Sequence, residues 1–201
     1  MDCVKIDLKL YLDDASDVEL EAFIPVFHRW IQAQDWEDTL IDVADYRHVP
    51  NGPGVILVAH DAQYAMDTSD GRVGLLYSRR RETHASQQNI RSMTQRLRSV
   101  VRSALTTCRR LEAEATWPQP LRFRGNELLL RCNDRLAAPN TAQTYDALRE
   151  CLEPLLAQLY PGAPPRVDRV EEPATRLSLS IKADEAPDIE TLISRLEISA
   201  P

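Results

Sequence analysis

Between residues 45 and 81 lie an imidazole, two phenols, a carboxylate and a guanidinium that strand pairing could bring together: His60, Tyr64, Tyr77, Asp45 and Arg81. The turn formers Pro50-Asn51-Gly52-Pro53-Gly54 and Ser69-Asp70-Gly71-Arg72 divide the segment into three strands of a meander. Centring the second turn on Asp70-Gly71 sets Tyr64 opposite Tyr77, Met66 opposite Leu75 and His60 opposite Arg81. Centring the first on Gly52-Pro53 sets Asp45 beside His60. Because side chains alternate, Ile56, Val58, His60, Tyr64 and Tyr77 would then share one sheet face. An apolar wall carrying a few convergent polar groups is the usual make-up of a small-molecule pocket. The same residues have a plainer reading, since cross-strand tyrosine pairs and strand-end ion pairs commonly serve the sheet alone. In this register His48 points away from His60, which argues against a two-histidine metal site. No metal and no cofactor is expected. His28, within a helix, and His84, in a loop, read as packing or surface residues.

Motifs that name a reaction are missing from the sequence. It has no Gly-x-Gly-x-x-Gly, no Gly-Lys-Ser/Thr phosphate loop, no Gly-x-Ser-x-Gly and no His-Glu-x-x-His. The prolines of Asn51-Gly52-Pro53-Gly54 cannot donate amides to a phosphate, so that stretch reads as a turn. Ser178 and Ser180 form the polar face of a strand. Cys3, Cys108, Cys132 and Cys151 are scattered without a Cys-x-x-Cys pair, which predicts reduced, buried thiols rather than a zinc site.

A long helix is predicted over residues 86–114. Ile90, Met93, Leu97, Val100, Ala104, Cys108 and Leu111 recur at steps of three and four and make a continuous apolar seam. Arg91, Arg98, Arg102 and Arg109 flank it, and the segment Arg79–Leu111 holds nine arginines and one acid within a chain of net charge −7. A seam at such spacing suits helix–helix association, so Ile90, Met93, Leu97, Val100 and Ala104 are expected to meet a second copy in a homodimer. Basic helices also bind phosphates. Without interleaved aromatic residues and in an acidic chain, pairing with the protein's own acids is the stronger expectation, and nucleic acid the weaker.

The elements that must position these groups are expected to occur twice, as strand, helix, strand, strand over residues 4–60 and again over 126–182. Ala22-Phe23-Ile24-Pro25-Val26-Phe27 aligns with Cys151-Leu152-Glu153-Pro154-Leu155-Leu156, so each helix is expected to bend at its proline. In the first unit Val4–Leu12 alternates apolar with Lys5, Asp7, Lys9 and Tyr11, predicting one buried and one wet face. Ser16 with Glu19 is a capping-box pattern. Strands follow at 40–48, 55–66 and 73–79. The second unit reads as strand 127–132, helix 141–159, strands 166–170 and 176–183, and a short helix 189–196. The fold class is therefore α+β with a mainly antiparallel sheet, a single domain of two pseudo-repeats (1–81 and 121–198) joined by the long helix. Paired units of this kind are similar in arrangement to the vicinal oxygen chelate fold, and equally to a duplicated ferredoxin-like fold. The vicinal oxygen chelate ligands are His, Glu or Gln on particular strands, where this first strand offers Lys5, Asp7 and Lys9, so the similarity is one of architecture only.

A chain of 201 residues, 43% hydrophobic and 27% charged, can bury a core and is not globally disordered. No apolar run approaches the roughly 18 residues of a membrane span, and the opening residues lack a secretory pattern, so a cytoplasmic protein is expected. Three functions remain: a non-catalytic module binding a small molecule or partner, a small-molecule enzyme built around His60, Tyr64 and Tyr77, and nucleic-acid binding through the arginine-rich helix.

Overall fold

The computed structural model describes residues 3–13, 18–81, 92–170 and 176–198. Strands β1 (Ile6–Leu12), β2 (Leu40–Tyr46), β3 (Gly54–Ala59), β4 (Ala62–Asp67), β5 (Gly74–Arg79), β6 (Phe123–Cys132), β7 (Arg166–Arg169) and β8 (Ser178–Lys182) form one antiparallel sheet in the order β2-β3-β4-β5-β1-β6-β8-β7. Helices α1 (Phe23–Ala33), α2 (Met93–Ala113), α3 (Ala142–Leu159) and α4 (Ile189–Glu197) complete the α+β fold. Period-two alternation decides which side chains the helices cover. Leu57, Tyr64, Tyr77, Leu8, Leu130 and Leu179 lie in one row across the strands and join a single apolar cluster with Phe27, Leu97, Leu156 and Leu192 of the helices. Ile56, Ala65 and Leu129 are also buried, but they alternate onto the opposite face and stand outside that cluster. No described helix is long and apolar enough to cross a membrane.

Helix α2 starts with a capping box in which Ser92 accepts from the Gln95 N–H and the Gln95 side chain accepts from the Ser92 N–H. Its seam is used inside the chain. Leu97, Val100, Ala104, Cys108 and Leu111 are fully buried and Met93 nearly so, with the helix packed on β1, β5 and α4. The expected homodimer seam is therefore corrected, because a stripe already covered by its own sheet cannot mate with a copy. Ile90 and the predicted start at 86 lie outside the described residues.

Three other expectations change. Strand β1 is buried along both faces, since it sits mid-sheet and the β4–β5 turn folds over its second face. Pro25 falls in the first turn of α1, where its missing N–H would have had no helical partner, so it starts a helix rather than bending one; Pro154 does lie inside α3. Ser16 and Pro173 lie outside the described residues. Finally, the two stretches are not equivalent strand for strand. Each half pairs its first strand with its last (β1 with β5, β6 with β8) and puts the strand after its helix at the sheet edge, but β8 bonds β6 directly while β4 and β5 separate β3 from β1.

Candidate functional site

The sheet face that no described helix covers carries a cleft of about 740 Å³ where the two halves meet. Its floor comes from β6 and β8. Leu129 pairs with Ser180 and Arg131 with Ser178, and all four side chains point away from the core because Leu128, Leu130, Leu179 and Ile181 point into it. Arg135 follows the end of β6 and Arg176 precedes the start of β8. The strands are antiparallel, so both arginines join Arg131 at one end of the cleft. Tyr11, Ser69 and Asp70 line it as well.

A buried ion network builds the wall that Tyr11 and Asp70 contribute. Lys9 is fully buried, and its Nζ donates to Asp67 Oδ2 at 2.7 Å, Asp70 Oδ1 at 2.5 Å and the Arg72 carbonyl at 2.7 Å. Three donors meet three acceptors, which is what a buried ammonium requires. The Tyr11 hydroxyl donates to Asp70 Oδ2 at 2.9 Å, and the Arg72 guanidinium stacks on the Tyr11 ring at 3.8 Å while gripping Glu127 with two bonds of 2.9 and 2.8 Å. Burial alone would raise the Asp70 carboxyl, but the bonds from Lys9 and Tyr11 and the Lys9 charge outweigh it and hold it low. Glu127 is held low chiefly by Arg72. Asp7 behaves oppositely. It is buried one row from Lys9, and desolvation raises its carboxyl despite bonds from Ser78 and Asn133 and the nearby charges of Arg131 and Arg176, the latter 3.7 Å away.

The residues singled out in the sequence do not assemble into the expected pocket. Tyr64 does face Tyr77, with ring centroids 5.2 Å apart, and Met66 does face Leu75. Both tyrosines are core residues: they end an aromatic run through Trp30 and Trp36, and Trp36 donates its indole N–H to the Tyr64 hydroxyl at 3.1 Å. Tyr64 borders a small cavity of about 110 Å³ shared with Trp36, Arg102 and Thr106. The stretch expected as one strand over 55–66 is a hairpin turning at His60-Asp61. Leu57, not Ile56 or Val58, therefore shares the face of Tyr64. The turn has no glycine or asparagine to announce it. Tertiary bonds hold it, with Thr39 O accepting from His60 N, Asp38 Oδ2 from Asp61 N, and Asp61 O from the amides of Arg80 and Arg81.

Asp45 pairs with Val55, five positions from His60, because the first turn spans seven residues and not two. Pro50 and Pro53 cannot enter the ladder, Asn51 takes a left-handed φ of 54°, and Gly54 has φ 67° with Met66 O so close that a Cβ would lie 2.1 Å from it. Asp45 instead binds Arg47 at the exposed sheet edge, and that side-chain hydrogen bond lowers its carboxyl to about 2. His60 is 45% exposed, with Nδ1 2.9 Å from Asp61 Oδ1. Asp38, His60 and Asp61 bring ligand-type atoms within 4.8 Å of one another. The Asp38 carboxyl is raised, first by burial and then by the Asp61 charge, although the Asp61 and Thr39 amides pull the other way.

The arginines of α2 are largely engaged within the fold. Arg98 donates to Gln158 Oε1 at 2.6 Å and to the Leu196 carbonyl, Arg110 donates to the Asp35 carbonyl and stacks on Trp36, and Arg109 lies 3.7 Å from Glu190. Arg91 lies outside the described residues. Sequence reasoning missed Arg131, Arg135, Arg176 and Tyr11. The one available signal was alternation in Leu128-Leu129-Leu130-Arg131-Cys132, which places Arg131 on the face away from the core. Comparison with family models, with curated proteins and with solved structures finds no match.

Proposed function

We propose that the protein is a non-catalytic binding module whose ligand sits in the cleft on the face that no described helix covers. The supporting observation is one cavity of about 740 Å³, within the usual range for small-molecule sites, into which guanidinium, hydroxyl and phenol groups converge from both halves of the sheet. The polar groups at its arginine end suit binding better than proton transfer. Guanidinium does not exchange its charge near neutral pH, and Ser178 Oγ is already 3.1 Å from the Arg176 carbonyl it donates to. In this reading the protein works in a reducing compartment such as the cytoplasm, where Cys3, Cys108, Cys132 and Cys151 stay the free thiols they are in this structure. The test is a thermal-shift screen of a metabolite collection on wild type and on Ser180→Trp, which fills the cleft floor. At least one compound raises the melting temperature of wild type in a saturable way and leaves Ser180→Trp unmoved. Equal shifts in both proteins, or none in either, would place function elsewhere.

A second reading, an enzyme at His60, draws on the hydrogen bond between His60 Nδ1 and Asp61, the arrangement that orients an imidazole for proton transfer. In that case His60→Ala abolishes turnover of whatever substrate the screen yields. It would leave the cleft ligand's binding intact.

A further inference from the structure

Resting on the cleft reading above, we infer that the ligand is a small organic oxyanion carrying at least two negative charges, held at one end of the cleft by Arg131, Arg135 and Arg176. The chain as a whole is acidic, at −7, yet three guanidinium groups gather in this one concavity. The lone carboxylate among the described lining residues, Asp70, is already committed to Lys9 and Tyr11 at the opposite end. Among the described residues, neither Arg131 nor Arg135 has a carboxylate within ion-pair distance, and Arg176 reaches only Asp7 at 3.7 Å. Guanidinium forks left with open donors suit carboxylate or phosphate oxygens, which they can bind through two parallel hydrogen bonds. Three of them exceed what one negative charge needs.

The topology explains why the charge is concentrated. Arg131 stands on a central strand in the row of Asp7 and Ser178, so its base is fixed by β1 and β8 on either side. Arg135 and Arg176 enter from the chain just beyond β6 and just before β8. Toward the far end, Leu129, Ser180 and Tyr11 offer a mixed apolar and hydroxyl surface, suited to a neutral body that trails from the anionic group. Carboxylate and phosphate share the chemistry these arginines recognise, and the probes below separate them.

The experiment is titration calorimetry of the full chain at 0.15 M salt with citrate, with inorganic pyrophosphate and with neutral glucose. Wild type binds citrate or pyrophosphate saturably, and the better of the two identifies the polycarboxylate or phosphate class. Arg131→Gln, Arg176→Gln and the loop variant Arg135→Gln each weaken that binding at least about tenfold, as expected for a charge-assisted hydrogen bond. Arg149→Gln, a surface residue 3.7 Å from Glu153 on α3, leaves it unchanged. Anion binding that survives all three cleft substitutions, or that falls equally with Arg149→Gln, overturns the inference. Neutral compounds that bind wild type but not Ser180→Trp, with neither anion binding, would overturn the anion while keeping the cleft. Indifference of every ligand to Ser180→Trp would remove the cleft itself.

Discussion

The two faces of β1 divide the molecule's tasks. Ile6, Leu8 and Leu10 enter the helix-covered cluster and are stabilised by shape and transfer from water. Asp7, Lys9 and Tyr11 on the other face are nearly as inaccessible, at 2%, 0% and 6% exposure, yet they are held by a few directed bonds and charges. An apolar core tolerates many substitutions of similar volume, whereas a buried ionic network fails when a single partner is removed. A face built the second way is costly for stability alone, and it is the face that bears the cleft.

The largest effect should come from breaking that network. Lys9→Met leaves Asp67 buried without its ammonium and should cost about 3–5 kcal/mol, while Leu8→Ala on the opposite side of the same strand should cost about 2–5 kcal/mol. Urea denaturation of both checks the ranking. The double variant Lys9→Met/Asp67→Leu should recover part of the loss, because it removes the two fully buried charges together and leaves only the partly exposed Asp70 without its ammonium. No recovery in the double variant would mean that the network holds the β4–β5 turn by something other than charge.

Much of this architecture could be read in the sequence, for a physical reason. Alternation in β1, the three-and-four spacing of α2 and the turn at Asp70-Gly71 are local signals, and they located those two elements and the Tyr64–Tyr77 register. The cleft was not legible, since Arg131, Arg176 and Tyr11 meet only through pairing of β1, β6 and β8, and nothing local fixes that order. The His60-Asp61 turn was hidden for a related reason. Its amides are satisfied by Asp38 and Thr39, more than twenty positions earlier, so the chain needed no glycine or asparagine there. Asp45 and His60 do not pair because Pro50 and Pro53 force a turn longer than two residues.

A smaller effect, one of sign, separates the carboxylates of the polar face. Asp7 is raised by burial, so the folded state holds its proton more tightly than the unfolded chain does. Its contribution to stability is present at low pH and is lost as pH rises above the ordinary value of 3.8. Asp70 and Glu127 are lowered and act the other way, stabilising the fold above their ordinary values of 3.8 and 4.5 and losing that contribution as pH falls below them. Urea melts at several pH values between 4 and 7 should therefore show wild type gaining on Asp7→Asn as pH falls. A gap between the two that does not change with pH would mean that the arginines compensate Asp7 fully.

The smallest effects test whether the helix-covered face contributes anything besides folding. Tyr64→Phe loses the bond from Trp36 and should cost about 1 kcal/mol, and His60→Ala, at a half-exposed turn closed by backbone bonds, less than about 1 kcal/mol. Neither should change the response to a cleft ligand, because Tyr64 points into the apolar cluster and His60 lines no wall of the cleft. The informative contrast is with Arg131→Gln, which should leave the melting temperature nearly unchanged while removing the ligand response. Were Tyr64→Phe to abolish that response and Arg131→Gln to preserve it, recognition would belong to the aromatic side of the sheet, and the polar network around Lys9 would be a structural element only.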